Sequence, residues 1–346
     1  MRAERRTSSG RRLLAVWLSA AACLVFVEAG ERVYTQARGR QVWPPALSAP
    51  ARGEVEIVPV QGKVYLISGA GANIALQAGD QGMLMVDTGT SAMSAKVIAA
   101  MKTVSQRPLR YVINTIDSED HTGGNEAIAA TGEIIPFRDP NYQAGPQGAL
   151  DTKKASVISY LTVFHRMAGA DGAKARPEGA WPDNTFSTPQ KRLSFNDEPV
   201  VITHMPGNTD GNSIVLFRKS DVLAVGDLLD LTAFPRIDVE GGGGLTLLVD
   251  ALNKLIDITV PSDNASGGTL VIPGHGRIAD HAEVAYYRDM TTIVRDRIAD
   301  MVKQKMTLAQ VKAARPTRDW DARYGKATGP WTTEMFVEAA FRSLSK

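Results

Sequence analysis

Five histidines (His121, His165, His204, His275 and His281) and a single cysteine, Cys23, bound the chemistry open to this chain. One cysteine permits no disulfide within the chain and no cysteine-rich centre, so a metal ion must be held by imidazoles and carboxylates. Cys23 falls in an apolar N-terminal run and is not read as a nucleophile. Three polar clusters, each after an apolar run, hold the candidates. The first is Asn114-Thr115-Ile116-Asp117-Ser118-Glu119-Asp120-His121-Thr122-Gly123-Gly124-Asn125, the second Gly226-Asp227, and the third Pro273-Gly274-His275-Gly276. Adjacent Asp120 and His121 offer one carboxylate oxygen and one imidazole nitrogen, and Asp227 and His275 add another of each. Two histidines with carboxylates suit zinc, iron or manganese.

Each of these residues also has a plain structural reading. Asp120 can cap a short helix, His121 can be a hydrogen-bonded core histidine, Asp227 can sit in a turn, and Gly-His-Gly can be a loop. Taken together, at the ends of strands where α/β folds place their sites, they favour a site. Asp117 or Glu119 can serve as a general base, although a solvated acidic loop is the favoured reading of both. His204 is expected on a strand as a structural residue. His165 is expected to pack in a helix near Tyr160 and Phe164, and His281 to open the tail helix.

The elements that must position these residues follow from apolar periodicity. Four short β-rich runs, Val55 to Val58, Val64 to Ser68, Asn73 to Gln77 and Met83 to Val86, are separated by glycines and read as antiparallel strands. Ser91 to Val104 then reads as a helix, Arg110 to Asn114 as a strand, Glu126 to Ala130 as a short helix and Glu133 to Pro136 as a strand. A helix is expected from about Thr152 to Met167, with a Gly/Pro-rich stretch after it. Strands are expected at Val200 to His204, Ser213 to Phe217, Val222 to Val225 and Thr269 to Ile272, with a helix over Leu245 to Ile256. The tail reads as helical from Ala282 to Met306, and Thr307 with Gln310 forms a capping-box pattern for a further helix. Strands and helices mixed in this way point to a layered α/β protein.

The chain has 346 residues, 44% of them hydrophobic and 22% charged, enough for a sizeable core. Lys+Arg 39 against Asp+Glu 37 gives a net charge of +2, which is no footprint for nucleic acid. Arg2, Arg5, Arg6, Arg11 and Arg12 precede an apolar run from Leu13 to Val27 and small residues at Ala29 and Gly30. That order is the pattern of a secretory signal, and the run is shorter than a spanning helix requires. Residues 1–30 are therefore expected to be a signal peptide, with a retained N-terminal membrane anchor as the alternative, and an exported, periplasmic or extracellular location follows. Residues 31–53, with Pro44, Pro45 and Pro50, read as a linker. A main domain over 54–290 and a helical extension over 291–346 packed on it complete the expected organisation.

Over about residues 54 to 290 the motifs resemble those of the metallo-β-lactamase superfamily. Met85-Val86-Asp87-Thr88-Gly89 resembles the family's strand ending in Asp-Thr-Gly. Asn114-Thr115 and Asp120-His121-Thr122-Gly123-Gly124-Asn125 resemble the flanks and second half of its His-x-His-x-Asp-His signature. Pro206-Gly207-Asn208-Thr209-Asp210-Gly211 resembles its Pro-Gly-His-Thr-x-Gly segment, Gly226-Asp227 its bridging aspartate, and Pro273-Gly274-His275-Gly276 its final histidine. The resemblance implies an αββα sandwich with the site at one edge. It also places Ile116, Ser118 and Asn208 where the family has the three histidines of its first metal site. Isoleucine has no donor atom, serine is a poor ligand and asparagine offers only an amide oxygen, so that site is expected to be absent. Asp120, His121 and His275 match the second site, and Asp227 the bridging residue. The resemblance therefore implies a hydrolase, exported if the N-terminal segment is a signal, acting on a small-molecule ester, thioester, lactone or lactam, with one zinc ion (or iron or manganese) in the second site and Asp120 in a catalytic role. The alternative is a non-catalytic descendant that binds a metal or small molecule in the same cleft.

Overall fold

A computed structural model describes residues 53–134, 154–170, 172, 174–260 and 268–345. The targeting segment, the linker up to residue 52 and the second half of the expected Glu133–Pro136 strand lie outside them. Two sheets form the centre. The first has seven strands in sequence order: β1 (Glu56–Gln61), β2 (Val64–Ser68), β3 (Ile74–Gly79), β4 (Gly82–Val86), β5 (Leu109–Ile113), β6 (Ser156–Tyr160) and β7 (Asn184–Phe186). β1 to β4 follow one another through short connections and pair antiparallel. From β4 onward the pairing is parallel, as crossover connections through helices demand. The second sheet runs β12-β11-β10-β9-β8, with β8 (Gln190–Phe195), β9 (Glu198–His204), β10 (Ser213–Phe217), β11 (Val222–Asp230) and β12 (Leu270–His275). Only its β11–β12 pair is parallel.

Helices cover the outer faces. α1 (Ser94–Val104), α2 (Glu119–Thr122), α3 (Asn125–Ala129) and α4 (Leu161–Met167) belong to the first half of the chain. α5 (Leu245–Thr259), α6 (His281–Lys303), α7 (Leu308–Ala314), α8 (Asp321–Tyr324) and α9 (Thr333–Leu344) belong to the second. Val97 and Met101 of α1 pack with Ile67, Leu76, Met85 and Val112 on one face of the first sheet. Leu248, Leu252 and Leu255 of α5 and Tyr287, Met290 and Val294 of α6 pack on Leu223, Val225 and Val271 of the second, where Phe336 and Ala340 of α9 join them. This three-to-four spacing of apolar residues is what seats a helix on a sheet. Alternation along each strand then turns Leu66, Leu84, Ile113, Val215, Phe217 and Ile272, all buried, to the inner faces between the sheets. The result is the αββα layering. Asp280 caps α6 by accepting from the Glu283 N–H, and Thr307 with Gln310 forms the expected capping box on α7. Among the described residues, no helix is long and apolar enough to cross a membrane.

One expected element is corrected. Thr152 to Met167 is not a single helix: Ser156–Tyr160 is strand β6, and only Leu161–Met167 is helical. Val157 and Ile158 are β-branched and buried beside β5, and a strand buried on both faces loses the alternation that would distinguish it from a helix. β7, three residues at the edge of the first sheet, lies in the span after Met167 where only a Gly/Pro-rich stretch is expected, and β8 is not among the expected strands.

The end of the sandwich away from the site is tied by Asn196, in the turn between β8 and β9. Its amide Nδ2 donates to Gln77 Oε1 (2.8 Å) and Gly82 O (3.0 Å), and its Oδ1 accepts from the Gln81 N–H (2.8 Å). Its φ of 57° lies in the left-handed region, which asparagine tolerates better than most residues. Asn196→Ala is expected to destabilise the protein by about 2 to 4 kcal/mol, through lost buried hydrogen bonds and backbone strain. Urea unfolding checks this, and a loss below about 0.5 kcal/mol would show that the tie contributes nothing.

Candidate functional site

The site lies where the strand ends of both sheets meet. β4 ends in Asp87, whose φ of 61° turns the chain sharply and aims its carboxylate at the next strand end. Asp87 Oδ1 accepts from the Thr115 N–H (2.8 Å), and Oδ2 from Thr115 Oγ1 (2.6 Å) and His121 Nδ1 (2.7 Å). The Thr88 N–H donates to His121 O (2.7 Å), and Thr88 Oγ1 donates to Asn125 Oδ1 (2.9 Å). Asn125 and Asn114 exchange amide hydrogen bonds of 2.8 and 3.1 Å. The polar residues flanking the signature thus brace α2, which carries Asp120 and His121. Gly124 follows α2 because a Cβ there would lie 2.6 Å from Thr88 O.

His121 is fully buried. With Nδ1 held by Asp87, its Nε2 is 3.0 Å from Asp227 Oδ1. Asp227 reaches this point through a bulge in β11 at Gly226, where φ is 52° and a Cβ would come within 2.5 Å of Thr115 Oγ1. His275 ends β12, and its Nε2 lies 3.3 Å from Asp120 Oδ2 and 3.4 Å from Asp227 Oδ1. Asn73, just before β3, steadies that loop by donating from Nδ2 to Pro273 O (2.9 Å) and Gly276 O (2.8 Å). Ligand atoms of Asp120, His121 and His275 all lie within 4.8 Å of one another. The structure therefore brings Asp120, His121, Asp227 and His275 together.

The charges are strongly coupled. Burial opposes charge on every group here, but the carboxylates and imidazoles outweigh it. Asp227 is held well below the usual carboxylate range by His121 and His275, and Asp120 is lowered by the hydrogen bond to His275 and the charge of His121. His121 is raised well above its ordinary value by Asp227 and Asp87. His275 is pushed up to about 10 by its hydrogen bonds to Asp120 and Asp227. Both imidazoles of the site thus face carboxylates that favour positive charge beside them. A divalent cation held by the same imidazoles and carboxylates would supply that charge, so the donor set fits a metal ion in electrostatics as well as in ligand type.

The other expected positions behave differently. Ile116 is buried and offers no donor, while Ser118 Oγ and Asn208 Oδ1 are buried without a hydrogen-bond partner. Asp117 faces Arg166 (3.4 Å), and Glu119 forms a salt bridge with Arg176, so each pairs with an arginine. Sequence reasoning misses both arginines, along with the bracing role of Asn73, because nothing local marks a residue whose partners are remote in the chain. His204 donates from Nε2 to Asp210 O (2.7 Å) and stacks on Tyr160 with ring centroids 3.5 Å apart. His165 lies on α4 with its ring centroid 5.8 Å from that of Phe164, while Tyr160, on β6, stacks on His204 instead. His281 opens α6, with Nδ1 3.1 Å from Thr259 Oγ1.

The family model described as the metallo-beta-lactamase superfamily matches residues 57–275, and the chain belongs to that superfamily. Uncharacterized proteins of Mycobacterium bovis and Mycobacterium tuberculosis are 33% identical over 92 residues, which cover 25% of this chain and 37% of theirs. A stereoselective inverting sec-alkylsulfatase from Pseudomonas sp. superposes with a TM-score of 0.57 at 14% identity, over 83% of this chain and 50% of that one. A metallo-beta-lactamase from Pontibacter korlensis gives a TM-score of 0.51 at 17% identity, over 69% of this chain and 99% of that one. At such identities the likeness shows the fold alone.

Asp87→Ala leaves His121 Nδ1 and Thr115 without their buried partner. It is expected to cost about 3 to 5 kcal/mol in the metal-free protein, as removal of one member of a buried ion pair does. Chemical unfolding at neutral pH measures this, and a change below about 1 kcal/mol would remove Asp87 as the anchor of His121.

Proposed function

We propose that this chain is an exported hydrolase that uses one metal ion, most simply zinc, held by Asp120, His121, Asp227 and His275. The observation that carries the reading is the convergence of Asp120, His121 and His275 within 4.8 Å, with Asp227 between both imidazoles, while Ile116, Ser118 and Asn208 supply no imidazole. A divalent ion bound there supplies Lewis acidity toward a carbonyl and activates water. The residues of the chain prepare that chemistry. Asp87 holds the His121 ring so that Nε2 faces the cleft, as carboxylate partners of ligating histidines do. Asp120 is kept ionised and is assigned the catalytic role, its carboxylate orienting the attacking water as a hydrogen-bond acceptor. Asn73 fixes the His275 loop. The substrate class is a small ester, thioester, lactone or lactam. Export is proposed from the N-terminal arginines and the Leu13 to Val27 run; that run would serve as a membrane anchor if retained.

A second reading, a non-catalytic descendant that binds a metal or small molecule, is favoured by one observation. Both acidic neighbours in the signature, Asp117 and Glu119, are paired with arginines and are not free to act as bases.

Elemental analysis of the purified protein separates the readings. About one zinc, iron or manganese per chain is expected, with uptake lost in Asp120→Ala and in His275→Ala. No bound metal in the parent would sink the hydrolase reading, and bound metal with no turnover of any of the four carbonyl classes would leave the binding reading. Ile116→His, Ser118→His and Asn208→His combined are expected to raise uptake to about two ions per chain; unchanged uptake would mean that the signature is misaligned.

A further inference from the structure

Arg166 projects from α4 into the space between two loops that carry the substituted positions. Its side chain is only 14% exposed. Nη1 lies 3.4 Å from Asp117 Oδ1, between Ile116 and Ser118 in sequence. Nη2 donates to Asp210 Oδ1 (2.5 Å), two residues beyond Asn208, and to Gly241 O (2.8 Å) in the glycine loop before α5. Val163 and Met167, both buried, anchor the helix from which it reaches. The Asn208 loop itself packs closely on α4 at Gly211, where a Cβ would lie 3.0 Å from Thr162 Oγ1 and 3.2 Å from Val163 Cγ2. Arg176 grips the first loop from another direction, donating to Asp117 O (2.8 Å) and pairing with Glu119.

We infer that Arg166 is a positioning residue that cross-links the Ile116–Ser118 segment to the Asn208 loop, taking over with a guanidinium the joining of these loops that a first-site cation would perform. The chemistry suits the task. A guanidinium is always charged and presents its donors in a fixed planar fork, so it can hold two carboxylates and a carbonyl from three segments at once. Its two carboxylate partners offset the cost of burying it. They also use up its charge, so it is not a free anion-binding group. Two consequences follow from the placement. The Ser118 and Asn208 side-chain oxygens remain buried without partners, since the cross-link passes through their neighbours Asp117 and Asp210. And because Asp117 lies two residues before α2 and Glu119 is its first residue, the arginine pair fixes the start of α2. That last step, from loop order to metal binding, rests on the function proposed above; the cross-link itself rests on the contacts alone.

Hydrogen exchange of the full-length, metal-free protein tests the cross-link. Arg166→Met is expected to speed amide exchange about tenfold or more in both 115–119 and 206–211, leaving the β8–β9 hairpin unchanged. Arg166→Lys, which keeps the charge but loses the fork, is expected to fall between parent and Arg166→Met. The decisive arm adds zinc to a chain carrying Ile116→His, Ser118→His, Asn208→His and Arg166→Met. A cation restored at the first site is expected to return both segments to parental exchange, which no generic packing role for Arg166 would allow. The inference is overturned if Arg166→Met leaves either loop unaffected, if the exchange change spreads to the β8–β9 hairpin, or if zinc fails to restore protection in the histidine-bearing chain. Zinc content of the parent, measured in parallel, reports on the proposed function separately. A parent that binds no zinc but whose loops loosen in Arg166→Met would end the hydrolase reading and leave the cross-link standing.

Discussion

The fully buried imidazole of His121 joins the two halves of this molecule. Asp87, at the end of β4 in the first sheet, takes Nδ1, and Asp227, at the bulge of β11 in the second, takes Nε2. An unpaired charge at this depth would be prohibitively costly, so all three groups must stay in register. The local backbone meets that requirement. Asp87 accepts a left-handed φ, Gly226 bulges against Thr115 so that Asp227 can reach His121, and Gly274 passes close to the Asp227 carboxylate. These are departures from regular strand geometry concentrated at one edge, where strain is expected if the edge holds a function.

The rest of the sandwich keeps this edge from drifting. Tyr111 of β5 meets Phe195 of β8 edge-on at 5.3 Å, and beside it Asn196 ties the β8–β9 turn to the β3–β4 turn. The sheets are therefore fastened at the far end by amides and an aromatic pair, and at the site end by charge. Apolar side chains between them fix the spacing but are non-directional. Only the polar ties determine which carboxylate faces which imidazole.

How much of this is legible in sequence depends on how local each cause is. Asp227 and His275 each close an apolar run beside a glycine, and Asp120 and His121 stand in the polar segment that follows another, so their convergence follows once the runs become neighbouring strands. The capping box of α7 is equally local. β6 is misread because Val157 and Ile158 are buried on both faces of a parallel sheet, where no alternation survives. Arg166 is invisible for a different reason. It stands 49 residues from Asp117 and 44 from Asp210 in sequence, and no pattern within α4 distinguishes it from a solvated arginine. Asn73, 200 residues from Pro273, is hidden in the same way.

The same distinction bears on why one set of ligands can be replaced without undoing the other. The Asp120, His121, Asp227 and His275 group is held by contacts among its own members and anchored on Asp87, with no contact to the side chains of Ile116, Ser118 or Asn208 in that network. Those three positions sit on loops with independent fastenings: Arg166 through Asp117 and Asp210, Arg176 through Glu119, and the Asp238 N–H donating to Asn208 O at 2.8 Å. Loops held in this way need no cation to close the edge of the sandwich. Substitution at 116, 118 and 208 can thus remove imidazoles while sparing the arrangement of α2. A scattered loss of site residues would instead have left Asp87 or Asp227 as a lone buried charge, a far more destabilising outcome than an isoleucine in place of a ligand.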